Sequence, residues 1–182
     1  MKHIALVVLC SFLTVTSIRA DDKPPDDFAD IKWGESADGA KATMLLKPDV
    51  KFINASPDGA NLFFEGGTFA TLPATKWEFT FATAKFIKGR VDLAPSDSSV
   101  AGLREAYDTL KKSITEKYKK AGREEHDRGS HSATYWTFQT RKGSWQIACD
   151  VDPRRKGIRL TYSFNPPLKP AKQGNSEQKK DL

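Results

Sequence analysis

The stretch SWQIACDVDPRRKG, residues 144–157, gathers the residue types from which catalytic sites are built: a thiol, two carboxylates and a basic run. A nucleophilic cysteine needs its pKa lowered by a histidine, a cation or a helix N-terminus. Cys149 has none of these by spacing. It shares strand parity with Trp145, Ile147 and Val151, and the adjacent Asp150 disfavours a thiolate. It therefore reads as a small buried hydrophobe. Asp150 and Asp152 lie two apart, hence on one face of a strand, where paired carboxylates can do acid–base or metal work. Pro153, Arg154, Arg155 and Lys156 follow at once, and DPRRKG is ordinary turn composition.

The histidines offer a second chemistry. In EEHDRGSH, residues 124–131, His126 and His131 stand among Glu124, Glu125 and Asp127, a donor set able to ligate a divalent cation. Gly122 before the segment and Gly129 within it mark a loop, and the histidine spacing is not that of a helical pair, so a solvated loop after a helix is expected. His126 and His131 are its metal-ligand candidates. No GxSxG elbow is present, and EGGTF lacks the lysine of a phosphate-binding loop. Asn54-Ala55-Ser56 has sequon form, but the Pro57 after it disfavours modification. No catalytic residue is assigned and no cofactor is expected.

Elements of both periodicities must carry these residues. In SSVAGLREAYDTLKKSITEKYKKAG, Val100, Leu103, Tyr107, Leu110, Ile114, Tyr118 and Ala121 recur three or four apart, one apolar helical stripe. Serines and Asp97 offer N-caps, and Gly122 offers the stop. A shorter helix is expected over 35–46. Six segments read as strands: LFFEGGTF, KWEFTFAT, FIKGRVDL, ATYWTFQT, SWQIACDVD and GIRLTYSF, each aromatic or β-branched and bounded by turn residues. Trp77, Phe79 and Phe81 oppose Glu78 and Thr80. Trp145, Ile147, Cys149 and Val151 oppose Gln146, Ala148, Asp150 and Asp152. Ile158, Leu160, Tyr162 and Phe164 oppose Arg159, Thr161 and Ser163. An α+β domain is expected, a twisted antiparallel sheet with one or two helices packed on one face and polar side chains on the other.

The ends frame that domain. Residues 1–20 carry a basic start at Lys2 and His3 and an apolar run from Ile4 to Val15, the pattern of a cleaved signal peptide. Removing Lys2 and Arg19 from 29 basic residues leaves 27 against 23 acidic. That mild excess does not make nucleic acid the expected partner. Cys10 leaves with the signal, so Cys149 stands alone and an exported domain must rest on its core. Residues 21–30 are expected to be a flexible acidic lead, 31–164 the single domain and 165–182 a disordered tail. No transmembrane anchor is expected. Arg141 and Lys142 fall at one hairpin tip and Arg154, Arg155 and Lys156 at the next. Successive tips lie at opposite ends of a sheet, which argues against one continuous polyanion stripe.

KWEFTFATAKFIKG (76–89) echoes the opening stretch at a constant offset of 68 residues: Trp77 matches Trp145, Lys88 matches Lys156 and Gly89 matches Gly157. The echo reads either as two Trp-bearing hairpins sharing strand vocabulary or as a duplicated helix-plus-sheet unit, with repeats at 31–94 and 96–164. With Trp33 and Gly34 in DIKWGES and the helix-ending EKYKKAG at 116–122, this order of elements resembles the secreted β-lactamase-inhibitor-protein architecture. It also resembles small bacterial periplasmic proteins that open with a Trp-Gly or Phe-Gly motif before a short helix. The resemblance implies two helix-plus-sheet repeats forming one curved sheet used for protein binding, and brings no catalytic residue. The chain departs from the inhibitor group in lacking its disulfides.

The expected function is an exported, non-enzymatic binding module of the periplasm or extracellular space. Its partner is expected to be a protein or envelope component, engaged by the polar face through Tyr135, Thr137, Gln139, Gln146, Asp150, Arg159 and Thr161, since tyrosine and arginine are enriched at docking surfaces. The alternatives are a metal-assisted enzyme at the His126/His131 loop and an inhibitor of a secreted hydrolase.

Overall fold

Alternation along the chain places its large apolar side chains on one side of a single sheet. In the computed structural model, which describes residues 23–126 and 131–167, they form one core. A short hairpin comes first, β1 (Asp27–Phe28) and β2 (Ile31–Lys32), followed by α1 (Ala37–Leu45). Then come β3 (Val50–Ala55), β4 (Asn61–Gly66), β5 (Thr68–Phe69), β6 (Leu72–Ala82) and β7 (Lys85–Leu93). The second part opens with α2 (Val100–Tyr118) and continues with β8 (Arg123–His126), β9 (Ser132–Thr140), β10 (Gly143–Asp152) and β11 (Gly157–Asn165). The main sheet runs β3-β4-β6-β7-β11-β10-β9-β8, antiparallel throughout, with β5 paired to β6 alone. Each half is thus a helix followed by a four-strand meander, and the last strands of the two meanders, β7 and β11, join edge to edge.

Trp77 and Trp145 both sit on the third long strand of their half, β6 and β10. The rest of the echo diverges. Trp77 pairs with Val91 and Trp145 with Phe164, because the β6–β7 turn is two residues and the β10–β11 connection four. Gly89 therefore lies inside β7, whereas Gly157 begins β11.

The packed face carries Trp77, Phe79, Val91, Ile147, Cys149 and Leu160, each nearly or wholly buried. In α2, Leu103, Tyr107, Leu110 and Ile114 bury against β10 and β11. Ser99 caps the helix by accepting from the Gly102 N–H at 3.1 Å, satisfying one of its open donors. Two details depart from the periodicity reading. Val100, in the first turn, projects into solvent. The helix also ends at Tyr118, with Lys119 in the left-handed conformation, rather than at Gly122. Gly122 serves packing instead, since a Cβ there would collide with Thr134 and Trp136.

Of the lead-in expected over 21–30, the described part, residues 23–30, is anchored. Phe28 is 1% exposed, its ring 5.1 Å from Tyr162 and 5.7 Å from both Phe69 and Phe79. Gly89 provides the floor beneath it, because any Cβ there would strike the Phe28 ring. An acidic, proline-bearing composition hid one aromatic able to contribute about 2–3 kcal/mol on burial. At the other end Asn165, assigned to the tail, still pairs with Ser144 in the sheet. The segment read as a post-helix loop is in part the edge strand β8, since Glu124, Glu125 and His126 pair with β9. The expected signal peptide, the tail beyond 167 and residues 127–130 lie outside the described residues.

Candidate functional site

Both helices and the β1–β2 hairpin lie on the packed face, and among the described residues no element covers the opposite one. Strand parity brings all seven expected binding residues onto that open face, from three adjacent strands. Ala148 of β10 stands between Tyr135 and Thr161, and Gln146 stands between Thr137 and Ser163. Gln139 pairs with Ser144, and Asp150 stands between Ala133 and Arg159. Thr137, Gln139 and Gln146 are exposed, while Tyr135, Asp150, Arg159 and Thr161 are half-buried.

Their electrostatics divide the face. Arg159 is held in place: its Nε donates to Asp92 Oδ1 at 2.7 Å and its Nη2 to Oδ2 at 3.3 Å, a bidentate clamp joining the two halves. That hydrogen bond to Asp92, first among several carboxylates, raises the guanidinium's pKa. Arg90 on β7 reaches Glu78 on β6 at 2.6 Å. Asp150 Oδ1 lies 3.5 Å from His131 Nε2. Burial pushes the Tyr135 hydroxyl's pKa up, with Asp150 and Glu125 adding to it. Asp152 points into the turn instead, accepting from the Arg154 N–H and from Arg155 Nε, each at 3.0 Å, and these bonds hold its carboxyl below its ordinary pKa. A concavity of about 210 Å³ opens at this end, with Asp92, Asp150, Asp152, Arg155 and Arg159 in its wall. Its three acids are each matched by a nearby cationic or protonatable group.

Arg90 and Asp92 were missed by the reading of strand faces, although FIKGRVDL alternates: Gly89, Val91 and Leu93 face the core while Lys88, Arg90 and Asp92 face outward. That period was the available signal. The pairing of Asp92 with Arg159 had none, because 67 residues separate them.

Cys149 lies on the packed face, wholly buried, and burial followed by the Asp150 charge pushes its thiol well above the ordinary range. A thiol so held is protonated and shielded, unsuited to attack. His126 aligns with Ser132 at the β8 edge, and its side chain lies outside the described residues. Among the described residues no three metal-ligating side chains cluster. No described helix is long and apolar enough to cross a membrane.

Compared with family models, curated proteins and solved structures, the chain matches none.

Proposed function

We propose that the protein is an exported, non-catalytic binding module that engages a protein or envelope component through the open face of its sheet. One observation carries the reading. Tyr135, Thr137, Gln139, Gln146, Asp150, Arg159 and Thr161 converge from three neighbouring strands onto a face with no covering element among the described residues. Export is supported by the apolar run and basic start of residues 1–20. A rigid sheet clamped across its midline presents such side chains with little ordering cost on binding.

The test is affinity capture from envelope extract with the mature chain and with Thr161→Arg and Gln146→Arg, which place bulk and charge at the centre of the face. The reading expects a captured component that both substitutions release while the circular dichroism melt is unchanged. Undiminished capture by both variants sinks it. A second reading, inhibition of a secreted hydrolase, is favoured by the order of elements, helix plus four strands twice with the final strands joined. Loss of a hydrolase's activity on titration with the chain, restored by Thr161→Arg, would select it.

A further inference from the structure

The two ends of the open face differ in charge. Toward the β10–β11 turn the outward carboxylates of β6, β7 and β10 each have a cationic or protonatable neighbour: Glu78 has Arg90, Asp92 has Arg159, Asp150 has His131 and Asp152 has Arg155. Toward the β9–β10 turn, strands β7, β11, β10 and β9 present no carboxylate outward. Their side chains there are the amides and hydroxyls of Thr137, Gln139, Ser144, Gln146, Ser163 and Asn165. Gln139, Gln146 and Asn165 make no side-chain hydrogen bond among the described residues. Cations border this field. Lys88 pairs in register with Ser163, Lys85 precedes it on β7, and the exposed Arg141 and Lys142 form the adjoining turn. None of the four has an ion-pair partner among the described residues.

Resting on the reading of this face as a binding surface, we infer that this end takes an acidic polysaccharide strand. The unpaired amides, with the hydroxyls of Thr137 and Ser144, can exchange hydrogen bonds with the hydroxyls of a sugar chain, while Lys85, Lys88, Arg141 and Lys142 complement its carboxylates or sulfates. A protein partner fits less well, because protein interfaces are anchored by apolar and aromatic side chains in a desolvated centre. The large exposed apolar residues among those described, Leu45, Leu46, Ile53 and Val100, all lie elsewhere. Among the described residues no outward aromatic ring of the kind on which bases stack lies at this end, Tyr135 standing toward the other.

The experiment is a calorimetric titration of the mature chain with sodium polygalacturonate, neutral dextran and poly-L-glutamate at low and moderate salt. Polygalacturonate is expected to bind, more weakly as salt rises, and more tightly than poly-L-glutamate or dextran. Lys88→Glu with Lys142→Glu should weaken it by about tenfold or more, and Thr137→Ala with Gln146→Ala by about threefold to tenfold. Should the first pair fail to fold, Lys85→Glu with Arg141→Glu addresses the same field. No binding of polygalacturonate overturns the inference. So does equal binding of poly-L-glutamate with no loss in Thr137→Ala/Gln146→Ala, which would assign the field to an acidic peptide. Capture of an envelope component that is lost in Thr161→Arg but independent of the lysines would leave the binding module standing and remove the polysaccharide.

Discussion

The two halves share an order of elements but are closed by different means. In the second half α2 lays four large side chains, Leu103, Tyr107, Leu110 and Ile114, onto β10 and β11. In the first half α1 buries only Ala40 and Met44 over its nine residues. The area it leaves is filled by Phe28, carried in by the β1–β2 hairpin and seated on Gly89 among Phe69, Trp77, Phe79 and Tyr162. A meander with a strong amphipathic helix closes locally. One with a weak helix draws its missing apolar volume from elsewhere in the chain. Tyr162 belongs to the second half, so Phe28 also ties the halves together on the packed side, as Arg159 and Asp92 do on the open side.

Phe28→Ala should have the largest effect, destabilising by about 3–5 kcal/mol in urea unfolding, as much as a core truncation within α2. A loss below about 1 kcal/mol would mean that the hairpin is an ornament. Gly89→Ala should cost about 1–3 kcal/mol by forcing the ring away. Combined with Phe28→Ala it should cost much less than the sum, and strict additivity would contradict the seat. In the second half, Tyr107→Phe removes the partner of the buried Thr134 hydroxyl, now 2.6 Å from the tyrosine oxygen, for about 1–2 kcal/mol.

The pH dependence runs with these buried groups. The folded pKa values of Cys149 and Tyr162 are raised chiefly by burial. Each therefore contributes stability that is fully present below its unfolded pKa, about 8.5 for a thiol and 10 for a phenol, and is lost as pH rises toward the folded value. Melting temperature should fall from about pH 8.5 upward, with Cys149→Ala flattening the first part of the decline. A flat profile to about pH 10 would contradict the burial of that thiol. The smallest effect is local. Thr83 and Ala84, at φ 49° and 59°, form the two-residue turn between β6 and β7 in the left-handed region, which favours glycine and asparagine. Ala84→Gly should raise stability by about 0.5–1 kcal/mol, a gain specific to the first half.

The strands that carry the open face were legible because each alternates over seven or more residues, and a period of two assigns a face without reference to any partner. β3 was not, because VKFINA alternates poorly around a bulge between Phe52 and Asn54. β8 was not, because REEH is a polar edge strand whose only ordering influence is β9. The two-residue β1 has no periodicity to read, so the importance of Phe28 was invisible. At the site, Tyr135, Thr137, Gln139, Gln146, Asp150, Arg159 and Thr161 were assigned to one side by parity alone. That Arg159 is held by Asp92, and that Lys85 and Lys88 border the same field as Arg141 and Lys142, depends on β7 lying beside β11.

Local periodicity in the chain was enough to sort side chains between a packed and an open face, to place the long helix and to bury Cys149. Backbone geometry couples each residue to its neighbours at two- or near-four-residue intervals, whatever lies across from it. Tertiary structure alone decided which strands became neighbours, which charges neutralise one another and which of them remain available. Those outcomes follow from the joining of β7 to β11 and the seating of Phe28, contacts between segments whose separation along the chain leaves no periodic trace.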